Sequence, residues 1–326
     1  MLYRLNEKNL NFLNPLDGSE VNIDLSMFQN LDNFHFILSK NNSQIAFSGI
    51  VDGVKNMYVM SLHDKKNWRN IYQGQLHDYT WLTDFEIIIN TGKEICKLNV
   101  DNGALKMLYK FSRINMAPLS MLVNEDGTKI MAVTVHNKPF VYDLINQEVT
   151  KIPFRITNYC WINKEEILYS NLNGIKRFNV VTGKKFNFIT TIKMLEKIPG
   201  FSEIFEGVHF NEMNIDITEP KLFGNQVFFK LSISRNVGET ISAVLSVDIN
   251  LSKIERNYLC QKGLFSFYEP MLDGKVISIL GIPEERESTI LIHNKATVIN
   301  YKGYYPSPNI SIPTRSFPYQ GYYESY

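Results

Sequence analysis

Apolar residues in this chain come in short alternating or continuous runs bounded by Gly, Asn, Asp, Ser or Pro, which is the spacing of strands and tight turns. The stretch Ser39–Leu62, SKNNSQIAFSGIVDGVKNMYVMSL, states the pattern in full. Ser39–Ser43 is a cluster of turn formers, Gln44–Ser48 a half-buried strand, Val51–Asn56 a glycine-bearing loop and Met57–Leu62 a second strand. A marker then recurs along the chain where an apolar residue and an Asn, Asp or Ser lead into a polar hairpin. Its instances are Asn14, Ser61, Asn99, Asp143, Asn179 and Asp248, spaced 47, 38, 44, 36 and 69 residues apart. Asx side chains bond the local backbone there, and a Gly or Asn at the end accepts the positive φ of a tight hairpin. Four of these five intervals fit a repeat of four strands.

A second marker supports the first. Turn formers at Asn41-Asn42, Thr83-Asp84, Asn124–Gly127, Asn163-Lys164, Gly224-Asn225 and Asp273-Gly274 each precede an apolar strand. Those strands are predicted at Gln44–Phe47, Glu86–Asn90, Lys129–Val135, Glu166–Tyr169, Gln226–Ser232 and Lys275–Leu280. The N-terminal segment supplies only the later strands of one more repeat. With its Ser39–Ser43 turn, its Ile45-Ala46-Phe47-Ser48 strand and its Met57-Tyr58-Val59-Met60-Ser61-Leu62 strand, the first full repeat resembles the TolB-type propeller repeat. The resemblance implies an all-β fold, a β-propeller of four-stranded blades. Seven blades are expected, with six as the alternative, in a ring closed by strands from both termini. The propeller would occupy 1–303 as one domain, and Ile310-Ser311-Ile312 is a candidate closing strand. The tail 304–326 has four prolines and six tyrosines and is expected to pack on the propeller.

The longest interval carries an insertion at 193–214, KMLEKIPGFSEIFEGVHFNEMN, with a short helix expected to begin at Ser202 as its cap. Long insertions in regular folds are more often functional than random. Folded over the channel mouth, this one would wall an apolar pocket with Phe201, Phe205 and Phe210.

Composition agrees with sheet: 44% of residues are hydrophobic, and 21 Phe and 17 Tyr stand against six Ala. The 34 basic and 33 acidic residues give a net charge of +1, with no global field for nucleic acid or an anionic membrane. The start, MLYRLNEKNLNFL, is broken by Arg4, Glu7 and Lys8, and no apolar run reaches the roughly 20 residues of a membrane span. A soluble, cytoplasmic monomer is the expectation. Cys96, Cys160 and Cys260, odd in number and flanked by strand-like residues, read as buried thiols.

The chain has no GxSxG elbow, P-loop, HExxH or CxxC motif. In a propeller, the loops joining strands two and three and those joining one blade to the next share one face. On that reading His77 with Asp78, His136, and His209 with Glu212 lie on the same face, and Phe205 lies beside them. Imidazoles and carboxylates converging there suit a divalent metal or acid–base chemistry; the alternative is solvated histidines on separate blades. Arg113 and Arg235 fall in the same loops, where acidic residues also occur, so a mixed solvated rim stands beside an anion site. Trp81 and Trp161, at equivalent first-strand positions, read as packing between adjacent sheets. Two functions follow. The first is a non-catalytic scaffold, without a cofactor, docking a protein, peptide or glycan at that face. The second is a metal-dependent lyase or hydrolase acting at the channel mouth through the loop histidines His77, His136 and His209; the resemblance supplies the model for it, because oligogalacturonate lyases are propellers with related repeats that hold a divalent metal through histidines, and no catalytic residue is carried over from them.

Overall fold

The computed structural model describes residues 2–5, 9–13, 20–26, 30–39, 41, 43–62, 68–111, 118–134, 138–156, 158–171, 174–206, 214–234, 240–260, 264–270, 276–281, 289–293, 298–302 and 305–306. Nearly all of them lie in antiparallel four-stranded sheets. The chain divides into two compact units, one of Met1–Ile167 with Phe178–Lys185 and the strand at Tyr305, the other of Leu168–Arg177 with Phe186–Tyr304.

In the first unit, β1 (Leu2–Leu5), β2 (Asn9–Leu13) and β3 (Glu20–Asp24) make up most of one sheet, and β4 (Asn30–Leu38), β5 (Gln44–Val51), β6 (Val54–Ser61) and β7 (Trp68–Gln73) form the next. They are followed by the sheet of β8 (Asp78–Trp81), β9 (Glu86–Asn90), β10 (Glu94–Asn99) and β11 (Leu105–Lys110). Then comes that of β12 (Pro118–Val123), β13 (Lys129–Thr134), β14 (Pro139–Asp143) and β15 (Val149–Lys151). A further sheet, whose residues are divided between the two units, is built by β16 (Asn158–Trp161), β17 (Glu166–Asn171), β18 (Gly174–Asn179) and β19 (Lys185–Ile189).

The second unit holds the short helices α1 (Ile192–Leu195) and α2 (Phe201–Ile204), then the sheet of β20 (Asn214–Phe223), β21 (Gln226–Ser234), β22 (Thr240–Asp248) and β23 (Ile254–Cys260). The strands β24 (Leu264–Pro270), β25 (Val276–Gly281), β26 (Thr289–His293) and β27 (Val298–Lys302) form another sheet. The last strand, β28 (Tyr305–Pro306), pairs antiparallel with β1, Tyr305 opposite Tyr3 and Pro306 opposite Leu2. One sheet therefore takes strands from near both ends of the chain. The candidate closing strand Ile310–Ile312 lies outside the described residues. No described helix is long and apolar enough to cross a membrane.

The repeat markers sit in register. The first residue of a second strand lies opposite the polar marker that ends the third: Gln44 opposite Ser61, Glu86 opposite Asn99, Lys129 opposite Asp143 and Gln226 opposite Asp248. Each marker then organises its hairpin. Asn99 Oδ1 accepts the amides of Asp101 and Asn102, Asp143 Oδ1 those of Ile145 and Asn146, and Asn179 Oδ1 those of Val181 and Thr182. Positive φ falls at Gly103 and Gly183, as the spacing predicts, but at Gln147 and Leu251 where Asn146 and Asn250 are the expected holders. Asn99, Asp143 and Asn179 each accept the amides two and three residues on, and the left-handed residue follows at the fourth; Asp248 instead accepts the amides of Asn250 and Ser252, with left-handed Leu251 between them.

Sheets of the first unit pack through apolar faces. Leu10, Phe12, Ile23 and Leu25 bury against Phe36, Leu38, Ile45 and Phe47, with the Phe12 and Phe36 rings edge to face at 5.4 Å. Ile37, Ala46, Met57 and Ile71 do the same against Tyr79, Trp81, Ile87 and Leu98. Trp81 Nε1 donates to the Ile37 carbonyl and Trp161 Nε1 to that of Leu122, both at 3.3 Å. The repeated tryptophan is thus a tie between first strands of successive sheets, and its indole N–H is satisfied in the core.

Candidate functional site

Of the eight residues singled out as a site, the structure describes His77, Asp78 and Phe205; Arg113, His136, His209, Glu212 and Arg235 lie outside the described residues. His77 ends the connection from β7 to β8 and is exposed, with its amide donating to the Asn90 carbonyl at 2.8 Å. Its imidazole rests on Gly92, where an added methyl would meet Nε2 at 2.5 Å. Gly92 has φ +85, and its amide donates to Asn90 Oδ1 at 2.8 Å. Glycine here meets two demands at once, a left-handed turn and a seat for the ring. On the same end, Asp52 and Gly53 form the tip between β5 and β6, both at positive φ.

Asp78 is not a loop residue. It opens β8, is buried, and accepts the Tyr79 amide at Oδ1 (2.6 Å) and the Met121 amide of β12 at Oδ2 (3.0 Å). A buried carboxylate holding two main-chain donors is a structural anchor between sheets.

The insertion also differs from expectation. Thr191 caps α1 through its hydroxyl, and α2 starts at Phe201 after Gly200, so Ser202 lies within the helix and does not cap it. Gly200 has φ +93, and a methyl there would stand 2.7 Å from the Ile254 carbonyl. The Ile254 amide donates to the Pro199 carbonyl at 3.0 Å. The described part of the insertion thus lies against β23, the last strand of its sheet. Phe201 and Phe205, ring centroids 5.0 Å apart, are buried, as are Leu195 and Ile198; Phe210 lies outside the described residues.

Sequence reasoning passed over a second recurrence. Ser48, Asn90 and Ser170 stand at the same position near the end of β5, β9 and β17, each fully buried after an apolar run. The Ser48 hydroxyl has no hydrogen-bond partner. The signal is present in the motif IAFS, where a polar residue closes an apolar run. Among the described residues no three His, Cys, Asp or Glu side chains gather as a metal site. Cys96 and Cys160 are buried thiols. Burial, and then the Glu94 carboxylate, push the Cys96 thiol up to about 11. Cys260 ends β23, and its side chain lies outside the described ones.

No family model and no curated sequence matches the chain. Solved structures do. An oligogalacturonate lyase in complex with manganese superposes with a TM-score of 0.65 over 92% of this chain and 84% of its own, at 10% identity. An oligogalacturonate lyase from Vibrio parahaemolyticus gives 0.62 over 91% and 85%, at 9% identity. An uncharacterised protein from Listeria monocytogenes gives 0.51 over 82% of each chain, at 8% identity. Identities this low speak to fold alone. Four-stranded antiparallel sheets and these likenesses together make the chain a β-propeller protein.

Proposed function

We propose that the sheets form one ring of seven blades closed where β28 joins β1, and that the protein is a non-catalytic scaffold. Its ligand is a protein, peptide or glycan, docked at the loop end that carries His77 and the Asp52-Gly53 tip. The observation that carries this reading is the use already made of the polar groups there. Asp78 holds Tyr79 and Met121, and Asn90 holds Gly92, while His77 and Lys93 are exposed there, as are Asp52, Gln75 and Lys138. A rigid frame with mixed exposed loops favours docking, because few side chains must be ordered on binding.

The enzyme reading draws on the fold shared with the manganese-bound lyase, and would need His77 to meet His136 and His209. The test sets both readings side by side. Purified protein is titrated with manganese and assayed on oligogalacturonate, and partners are captured from native extract with the parent and with His77→Glu/Lys93→Glu. A stoichiometric partner lost in the double variant, without manganese uptake or turnover, supports the scaffold. Manganese binding that His77→Ala abolishes, together with cleavage, overturns it.

A further inference from the structure

In the first unit β7, β11 and β15 are edge strands, each paired on one side only. The edges at the other ends of two of these sheets, β8 and β12, meet through Asp78 and the Met121 amide, so β11 lies on the side turned away from that contact. Together β7, β11 and β15 carry Arg69, Lys106, Lys110 and Lys151 and no carboxylate, in a chain whose 34 basic residues are matched by 33 acidic ones. On β11 the charge accompanies uncovered apolar surface: Leu105 is 49% exposed and Met107 55%.

Register fixes where this surface faces. Leu105 lies opposite Leu98 and Met107 opposite Cys96, and directly opposed residues share a face. Leu98 and Cys96 are buried in one cluster with Ile71 of β7. The apolar face of the sheet therefore continues onto β11, past the side chains that the neighbouring sheet covers. The main chain turns outward at the same residues. The Asn99 amide donates to the Ala104 carbonyl, and bonded and non-bonded pairs alternate along an antiparallel ladder, so Leu98 with Leu105 is a non-bonded pair. Cys96 with Met107 is the next such pair, just before the register shifts between Cys96 and Ile95. The N–H and C=O groups of Leu105 and Met107 hence point away from β10, beside their own exposed side chains.

An extended peptide answers both features at once, bonding to the main chain while its alternate side chains cover Leu105 and Met107. Its charge is set by what flanks them. Lys106 is exposed and has no carboxylate partner among the described residues. Lys110 is 70% exposed and stands 3.8 Å from Glu94, a surface pair of little strength. At the hairpin end of the strand Arg69 is already engaged by the carbonyl and carboxylate of Asp101. Lysine on an edge discourages the addition of apolar or cationic strands, and it attracts acidic ones. A second copy of β11 would bring lysine against lysine, which is unfavourable across paired strands. A strand of alternating apolar and acidic residues fits both the exposed face and the charge.

We infer that β11 is a docking edge for an acidic, extended peptide of a partner protein, added antiparallel with apolar residues over Leu105 and Met107 and carboxylates towards Lys106 and Lys110. This site is additional to the loop end that carries His77, and neither depends on the other. The probe is a fluorescein-labelled heptapeptide of alternating Glu and Val, followed by fluorescence anisotropy with the full chain. It should bind the parent, and Lys106→Glu/Lys110→Glu should weaken it by at least about tenfold while gaining affinity for the counterpart of alternating Lys and Val. Peptide residues opposite Leu105 and Met107 exchange both main-chain bonds with them, so N-methylation of the valines should abolish binding to the parent and N-methylation of the glutamates should spare it. This arm needs no variant and stands whether or not the charge reversal folds. Absence of binding to the parent, equal loss from either methylation, or loss in the charge reversal without the gain for the lysine peptide overturns the inference. A loss of the same size in His77→Ala also overturns it, and assigns the peptide to the loop end.

Discussion

Asp78 commits both carboxylate oxygens to main-chain amides, one in its own strand and one in the next sheet. Replacing it by alanine leaves two donors without that acceptor, at a cost of about 3 kcal/mol. His77, one residue away and exposed, should cost under about 0.5 kcal/mol as alanine. Urea denaturation of the two variants checks the contrast, and equal losses would return Asp78 to the surface. In sequence the pair HD looks like a single chemical unit, because nothing in the letters shows that strand pairing starts between them. Cys96 makes a pH-dependent case. Burial in the apolar face shared with Ile71 and Tyr79, then Glu94, raises its thiol to about 11. The neutral thiol is the form the fold favours. Its contribution is therefore complete below the unfolded thiol value near 8.5–9 and is lost as pH rises towards 11. Stability measured from pH 8 to 10.5 should fall more steeply in the parent than in Cys96→Ala, and native protein should resist alkylation at pH 8.

The hairpin is the element most legible in the sequence, because its marker does two jobs that only Asx side chains at a strand end do well. Asn99, Asp143 and Asn179 each accept the two amides their spacing predicts. The exact left-handed residue was less legible, since Gln147 takes φ +59 although Asn146 is the better residue for it. A side chain with Cβ in that region costs about 1–2 kcal/mol, against about 0.4–1 kcal/mol of added unfolded-state entropy for glycine. Gln147→Gly should therefore raise the thermal midpoint by a few degrees, and Gly103→Ala or Gly183→Ala should lower it. A fall for Gln147→Gly would show that the glutamine side chain makes up for its own strain. The insertion was harder to read, because its geometry is set from outside. Gly200 begins α2 where the Ile254 carbonyl leaves no room for a methyl, and no local preference in GFSEIF announces a strand 54 residues away.

For the molecule as a whole, the repeat was visible because each sheet repeats one division of polar turn and apolar strand. A site was not, because polar side chains at the loop end serve the backbone, and convergence of distant loops leaves no local trace. What the sequence did indicate at this scale is an incomplete first repeat, and the structure supplies its fourth strand from Tyr305–Pro306. The N-terminal strands are more than an edge. Leu10, Phe12, Ile23 and Leu25 are buried against the β4–β7 sheet. At about 1.5–3 kcal/mol for each fully buried apolar side chain, the four together rival the 5–15 kcal/mol that holds a typical domain folded. Removing Met1–Leu25 also strips β28 of its partner and bares the apolar face of Phe36, Leu38 and Phe47. The truncated chain should lose the cooperative thermal transition of the first unit and bind a hydrophobic dye. If the strands were an appendage, the midpoint would stay within a degree or two of the parent and no dye would bind. That result would separate the shared sheet from the stability of the unit, and with it would go the case for a ring closed by both ends of the chain.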